Sequence, residues 1–256
     1  MFLSPEHLLR VLFVFARVSG LAFSAPVFGH KSVPVLTRVL LSALLAFVLA
    51  GFSTTPLPAH ALHPVGFMLI AGREVVTGLL LGYAVRFVFW AVEFAGEAIG
   101  FQMSLSLAQA YDPMSGGTVN PLGRAIGLSF LLLFVLLDGP QQVVVGLATS
   151  FDAIPLGGGQ VAAGGPLLLS WTGAFFSTSV RLAMPFLVAL FLADVGLGVF
   201  SRVVPQADLF SISLPLKLLA GFAIAIVFLS SLFPLAPGLF DGAQAQMREM
   251  VRALAP

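Results

Sequence analysis

Three ionisable side chains, Arg86, Glu93 and Glu97, fall at spacings of seven and four in a helix-compatible stretch, and so near one face of a helix. Two carboxylates one turn apart can share a proton, which is the chemistry of a relay. With a guanidinium on the same face, the expected arrangement is instead a structural polar cluster. His60 and His63 stand three apart, with no carboxylate or third histidine nearby and with Pro58 and Pro64 flanking them. A plain exposed loop is expected there rather than a metal site. The run GGGQVAAGG at 157–165 lacks a following Lys-Ser/Thr and any strand before it, so it is read as a flexible connection and not a phosphate cradle. No HExxH helix and no GxSxG elbow occurs. Cysteine is absent, which removes disulfides, thiolate metal sites and cysteine nucleophiles together. Neither an enzyme nor a cofactor is expected.

The remaining chemistry is mechanical, and it centres on the least apolar stretch, 96–127. A helix-compatible run from Ala95 to Ala110 carries Gln102, Ser104, Ser106 and Gln109. A breaker-rich loop follows: Tyr111, Asp112, Pro113, Met114, Ser115, Gly116, Gly117, Thr118, Val119, Asn120 and Pro121. The prolines fix φ and remove backbone donors, while the paired glycines permit φ > 0. One continuous helix cannot pass through it. At membrane depth such a loop survives only where protein or a water-filled cavity surrounds it.

The elements that must position this stretch are membrane-like. Hydrophobic residues make up 59% of the 256-residue chain and charged ones 9%, with a mean hydropathy of +1.05. Soluble domains are about 45–50% apolar and about 25% charged. The net charge of +1, without any Lys/Arg cluster, gives no reason to invoke nucleic acid. An all-α integral membrane protein forming one domain over 1–256 is expected, with about six hydrophobic segments. These run roughly Leu8–Phe28, Val35–Phe52, Val65–Val92, Leu122–Leu147, Leu167–Phe200 and Ile212–Leu235. The first is a retained helix, because MFLSPEHLLR lacks a basic region ahead of the apolar run. It pairs with the second as a hairpin. Pro185 is expected to break the fifth, and Asp241–Pro256 to form an amphipathic tail. Lys and Arg flank the odd-numbered loops, which places those loops in the cytoplasm by the positive-inside rule.

Small residues four apart let helices approach closely in lipid. Gly78 with Gly82, Gly96 with Gly100, and Gly123 with Gly127 are such pairs, the last two flanking the polar loop. Seven ionisable residues lie in or beside apolar runs: Arg17, Arg38, Arg86, Asp138, Arg181, Asp194 and Lys217. Each costs about 2.5–3.5 kcal/mol at a bilayer centre. Snorkelling at helix ends is expected for Arg38, Asp138 and Lys217. For Arg17, Arg86, Arg181 and Asp194, neighbouring subunits are expected to supply the partners.

Three motifs in order carry a family resemblance over nearly the whole chain: ARVSGLAFSAPVFGHKSVP at 16–34, GFQMSLSLAQAYDPMSG at 100–116, and SRVVPQADLFSISLPLK at 201–217. The sequence resembles the FliR/SctT family of type III secretion export-gate subunits, and its flagellar branch more closely than its injectisome branch. Ser104 departs from the pattern, where glycine is the family residue.

The resemblance implies tilted helical hairpins in a multi-subunit export gate of the bacterial inner membrane, at the flagellar basal body. One copy joins FliP and FliQ around a secretion pore, near FlhB and FlhA, with unfolded export substrates in transit and lipid around it. It also implies that the loop matching Tyr111–Pro121 plugs the pore. The residues suit a plug. Tyr111 and Met114 supply bulk, Gly116 and Gly117 hinge freedom, and Asp112 and Asn120 local hydrogen bonds. The rival from another class is a secondary transporter, whose substrate site also uses a broken helix. Transporters of that kind carry internal repeats, and the two halves of this chain show none.

Overall fold

The computed structural model describes residues 5–30, 32–52, 57–105, 120–203 and 209–256. Its α-helices are α1 (Pro5–Ser24), α2 (Val35–Phe52), α3 (Pro64–Gln102), α4 (Pro121–Leu136), α5 (Gly139–Ala153), α6 (Gly164–Val203) and α7 (Leu209–Leu254), with 3-10 turns at Ala59–Leu62 and Val161–Ala163. No strand occurs among the described residues. The fold is that of an all-α membrane protein. Among the described residues four helices are long and apolar enough to cross a membrane, within α1, α3, α6 with its preceding 3-10 turn, and α7. A fifth span results if α4 and α5 act as one broken element.

The apolar segments join and divide differently from expectation. The third segment runs on without interruption into the helix-compatible run after it, giving the 39 residues of α3. The fourth is two helices, because Asp138 takes φ 58 just before Gly139 and Pro140 open α5. Asp tolerates this left-handed conformation better than most residues. Pro185 does not break the fifth segment: α6 continues through it for 40 residues. Likewise α7 continues through Pro215, Pro234 and Pro237 and absorbs the tail. A proline removes one backbone bond, whereas opening the helix in apolar surroundings strands several.

Two compact units result. The first contains Met1–Val88, Phe134–Thr172 and Gly238–Pro256, and the second Phe89–Leu133 and Gly173–Pro237. In the first, α1 and α2 pack as a hairpin. Arg38 does not extend outward along α2. Its Nη2 donates to the His30 carbonyl at 2.7 Å and its guanidinium lies 5.7 Å from the Phe23 ring centre, which closes the connecting turn. The last turns of α7 bury Ala243, Met247, Met250 and Leu254 at helical spacing and leave Asp241, Arg248 and Arg252 outside.

The glycine-rich connection is tied down rather than loose. Gly157, at φ 76, donates its N–H to Glu74 Oε1 at 2.7 Å and accepts from Arg73 at 3.2 Å, while Gln160 N donates to the Leu254 carbonyl at 2.9 Å. The second unit has its own core of Ile99, Met103, Ile126, Phe130, Phe228 and Leu232. Edge-on ring pairs Phe89–Phe130 and Phe186–Phe228 stiffen it.

Candidate functional site

In the second unit, the end of α3 and the start of α4 lie against each other through glycine. A Cβ on Gly96 would stand 2.9 Å from Ile126 Cδ1 and 3.0 Å from Gly123 Cα. One on Gly123 would meet the Glu97 backbone N at 3.0 Å, and one on Gly100 would overlap the Asn120 side chain. Gly127 is looser, its nearest neighbour Glu93 Cγ at 3.6 Å. A side chain at Gly96 or Gly123 would therefore push the two helices apart, and one at Gly100 would displace the Asn120 side chain.

Both helix ends are closed at this crossing. Leu105 N donates to the Gly100 carbonyl at 3.1 Å and Ser104 N to the Phe101 carbonyl at 3.0 Å. These are the 6→1 and 5→2 bonds of a Schellman motif, with Ser104 in the left-handed position at φ 63. Serine thus occupies, under strain, the conformation that glycine takes freely. Met103, fully buried, fills the space left by the missing side chain of Gly221 on α7.

On the other side Asn120 caps α4. Its Oδ1 accepts from Leu122 N at 2.9 Å, and Pro121 takes the first helical position, where a missing N–H costs nothing. Asn120 is 7% exposed, and its Nδ2 has no hydrogen-bond partner among the described residues. The rest of the expected loop, Tyr111, Asp112, Pro113, Met114, Ser115, Gly116 and Gly117 with Thr118 and Val119, lies outside the described residues.

The same unit holds an ion node joining α3, α6 and α7. Lys217 Nζ stands 2.7 Å from Asp194 Oδ1, and Gln102 Nε2 donates to Asp194 Oδ2 at 3.0 Å. This corrects two expectations. Asp194 needs no neighbouring subunit, and Lys217 does not snorkel but neutralises it. Glu93 and Glu97, half-buried, flank the glycines of α4. Arg181 on α6 is exposed and has no hydrogen bond or ion pair among the described residues.

A second node, in the first unit, escapes sequence reasoning. Arg17, fully buried, donates through Nε to Glu74 Oε2 at 2.6 Å. Its Nη1 donates to the Ser150 carbonyl at 3.1 Å and its Nη2 to the Ile154 carbonyl at 3.0 Å. The guanidinium also lies 4.3 Å from the Phe151 ring centre. The expectation that another subunit completes Arg17 is corrected here: these partners all belong to this chain. The signal available was Gly20 one turn on. Gly20 and Gly78 each abut backbone of the opposing helix, and Gly82 abuts Ser24. Their bareness lets α1 and α3 close over the charge. Arg86, also in this unit, donates from Nη1 to the Ser24 carbonyl at 3.2 Å.

Among the described residues no group of three His, Asp or Glu side chains is placed to hold a metal ion. The arrangement offers clamped helices, neutralised charges and two capped helix ends on either side of 106–119.

Sequence comparison bears on what that arrangement serves. The family described as bacterial export proteins, family 1, matches residues 8–243. The flagellar biosynthetic protein FliR of Bacillus subtilis (strain 168) is 31% identical over 246 residues, covering 94% of this chain and 93% of that protein. FliR of Escherichia coli (strain K12) is 31% identical over 228 residues, covering 88% and 86%. FliR of Aquifex aeolicus (strain VF5) is 28% identical over 229 residues, covering 88% and 87%. These relatives are named for flagellar biosynthesis, not for a reaction.

Proposed function

The chain belongs to the FliR family of bacterial export proteins, and from that premise we propose that it is a subunit of the flagellar type III protein export gate. It sits in the inner membrane at the basal body, with residues 1–256 acting as one export domain and no catalytic role. One copy assembles with FliP and FliQ around a secretion pore, beside FlhB and FlhA, and unfolded substrates pass through. The loop at 111–121 closes that pore. Arg86, Glu93 and Glu97 serve helix packing and not proton transfer.

The observation that carries this reading is how the loop is mounted. A Schellman motif ends α3, an Asn-Pro cap starts α4, and glycines hold the two helices against each other at that level. A plug must move without loosening the wall that carries it. A clamped, doubly capped base separates the moving part from the fixed one. The exposed apolar surface of α6, which includes Val180, Met184, Val188, Phe191 and Leu192, agrees with life inside an assembly.

The test is conductance or dye flux through the purified complex in a bilayer. Deleting Met114–Thr118 leaves the complex assembled, because the glycine contacts remain, and opens it to small solutes without any export substrate. Replacing Gly116 and Gly117 with valine lowers export without leak. A deleted complex that forms at normal yield and stays as tight as the intact one would remove the plug from this loop.

A further inference from the structure

Between positions 153 and 193 the chain has one charged residue, Arg181. It lies in the middle of α6, exposed, and has no hydrogen bond or ion pair among the described residues. Four residues on, Pro185 has no N–H, so the Arg181 carbonyl lacks its usual i+4 donor. The guanidinium is thus left to an outside partner in the middle of an apolar rod, at a level where the helix is also one backbone bond short. Around it Gly173 and Ser177 on one side, Met184 and Val188 on the other, continue the same face through Arg181 at spacings of four, four, three and four. Gly173 has nothing near it that a Cβ would meet, and Met184 and Val188 are 50% and 48% exposed.

We propose that this face of α6 is the seat of an apolar helix from a partner subunit that carries an aspartate or glutamate opposite Arg181. The inference rests on the export-gate reading above and names the chemistry of one of its contacts. Lipid is the weaker occupant on length alone. A helix of 40 residues is about 60 Å long, while bilayer hydrocarbon is about 30 Å thick. Snorkelling needs the bilayer edge at Arg181, and that would leave in water a largely apolar flank of α6 about 25–33 Å long, whichever side it is. Protein must therefore cover α6 beyond what lipid can cover. A helix laid against Gly173 and Ser177 can approach closely. At Arg181 it must then bring an anion, since an unpaired guanidinium in that seam is costly. A second copy of this chain is a poor fit, because the carboxylate on its own α6, Asp194, is taken by Lys217 and Gln102.

The chain lacks cysteine, so single thiols can be placed cleanly at Ser177 or Met184 while Arg181 is kept. Each carries a thiol-linked photo-crosslinker in native membranes of the host, and the adduct is sequenced by mass spectrometry. The expected product is an apolar helical peptide of a different membrane protein with Asp or Glu within one turn of the crosslink. R181E lowers that adduct about tenfold or more, R181K keeps it, and an acid-to-arginine change in the captured peptide restores it with R181E. If R181E fails to accumulate, the mapping with Arg181 in place and the R181Q variant still decide. The proposal is overturned by an adduct with phospholipid alone, with this chain itself or with a peptide lacking a carboxylate, and equally by no adduct. A gate that assembles and exports while α6 crosslinks only to lipid sinks this inference alone. A chain that purifies from native membranes without partners sinks the reading beneath it.

Discussion

The two units each contain a paired charge, and they treat it in opposite ways. In the first, Arg17 and Glu74 are 0% and 1% exposed, and the guanidinium is met by a carboxylate, two carbonyls and a ring. In the second, Lys217 and Asp194 are 26% and 27% exposed, and Asp194 also accepts one amide N–H from Gln102. The same kind of contact is a sealed keystone in one place and a partly open brace in the other. The difference lies in what can replace a lost partner. The brace is open on one side; nothing can reach the keystone, so its cost of failure is set by desolvation.

The largest effect that would break this contrast is at Arg17. Arg17→Leu strands Glu74 and is expected to cost about 3–5 kcal/mol, enough to abolish accumulation of folded protein. The double variant with Glu74→Leu removes both charges and should recover most of that loss. The readout is thermal unfolding of the detergent-solubilised complex, with yield as a second measure. A single variant that unfolds like the parent would show that the keystone is not sealed.

Lys217→Met tests the brace. Asp194 keeps Gln102 and is partly exposed, so the expected loss is about 1–2 kcal/mol, with the complex still assembling. A loss as large as that of Arg17→Leu would erase the distinction between the nodes. The smallest effect is at Ser104. Glycine at φ 63 relieves left-handed strain but adds freedom to the unfolded chain, so Ser104→Gly should stabilise by less than about 1 kcal/mol. Destabilisation on the same unfolding measurement would mean that the serine side chain contributes something its backbone position does not reveal.

What was legible in the sequence followed from local pattern. Apolar length announced the helices, and glycines four apart drew attention to α3 and to the start of α4 without naming their partners. The partners of Arg17 were not legible, for a physical reason. Glu74 is 57 residues away, and the other acceptors are backbone carbonyls of Ser150 and Ile154, which carry no side-chain signature. The continuity at Pro185 runs against residue habit, and there the surroundings of the backbone, not its propensity, settle the outcome. The break at Asp138 follows residue habit, since Asp, Gly and Pro all favour turns, but apolar length alone runs straight through it. The candidate loop stood out by its breakers. Its mounting did not, since a serine held at φ 63 looks in sequence like any serine in a helix.

The make-up of the first unit bears on the order of synthesis. Its pieces come from 1–88, 134–172 and 238–256, with Gln160 N bonded to the carbonyl of Leu254. A ribosome adding about 5–20 residues per second delivers Ile154, and with it the last acceptor for Arg17, several seconds before Gly238. Through that interval the ion keystone can close while the apolar groove awaiting Met247, Met250 and Leu254 stays uncovered. Nascent chains stalled short of residue 238 should therefore be the ones that insertion factors or proteases hold longest, whatever the fate of the loop at 111–121.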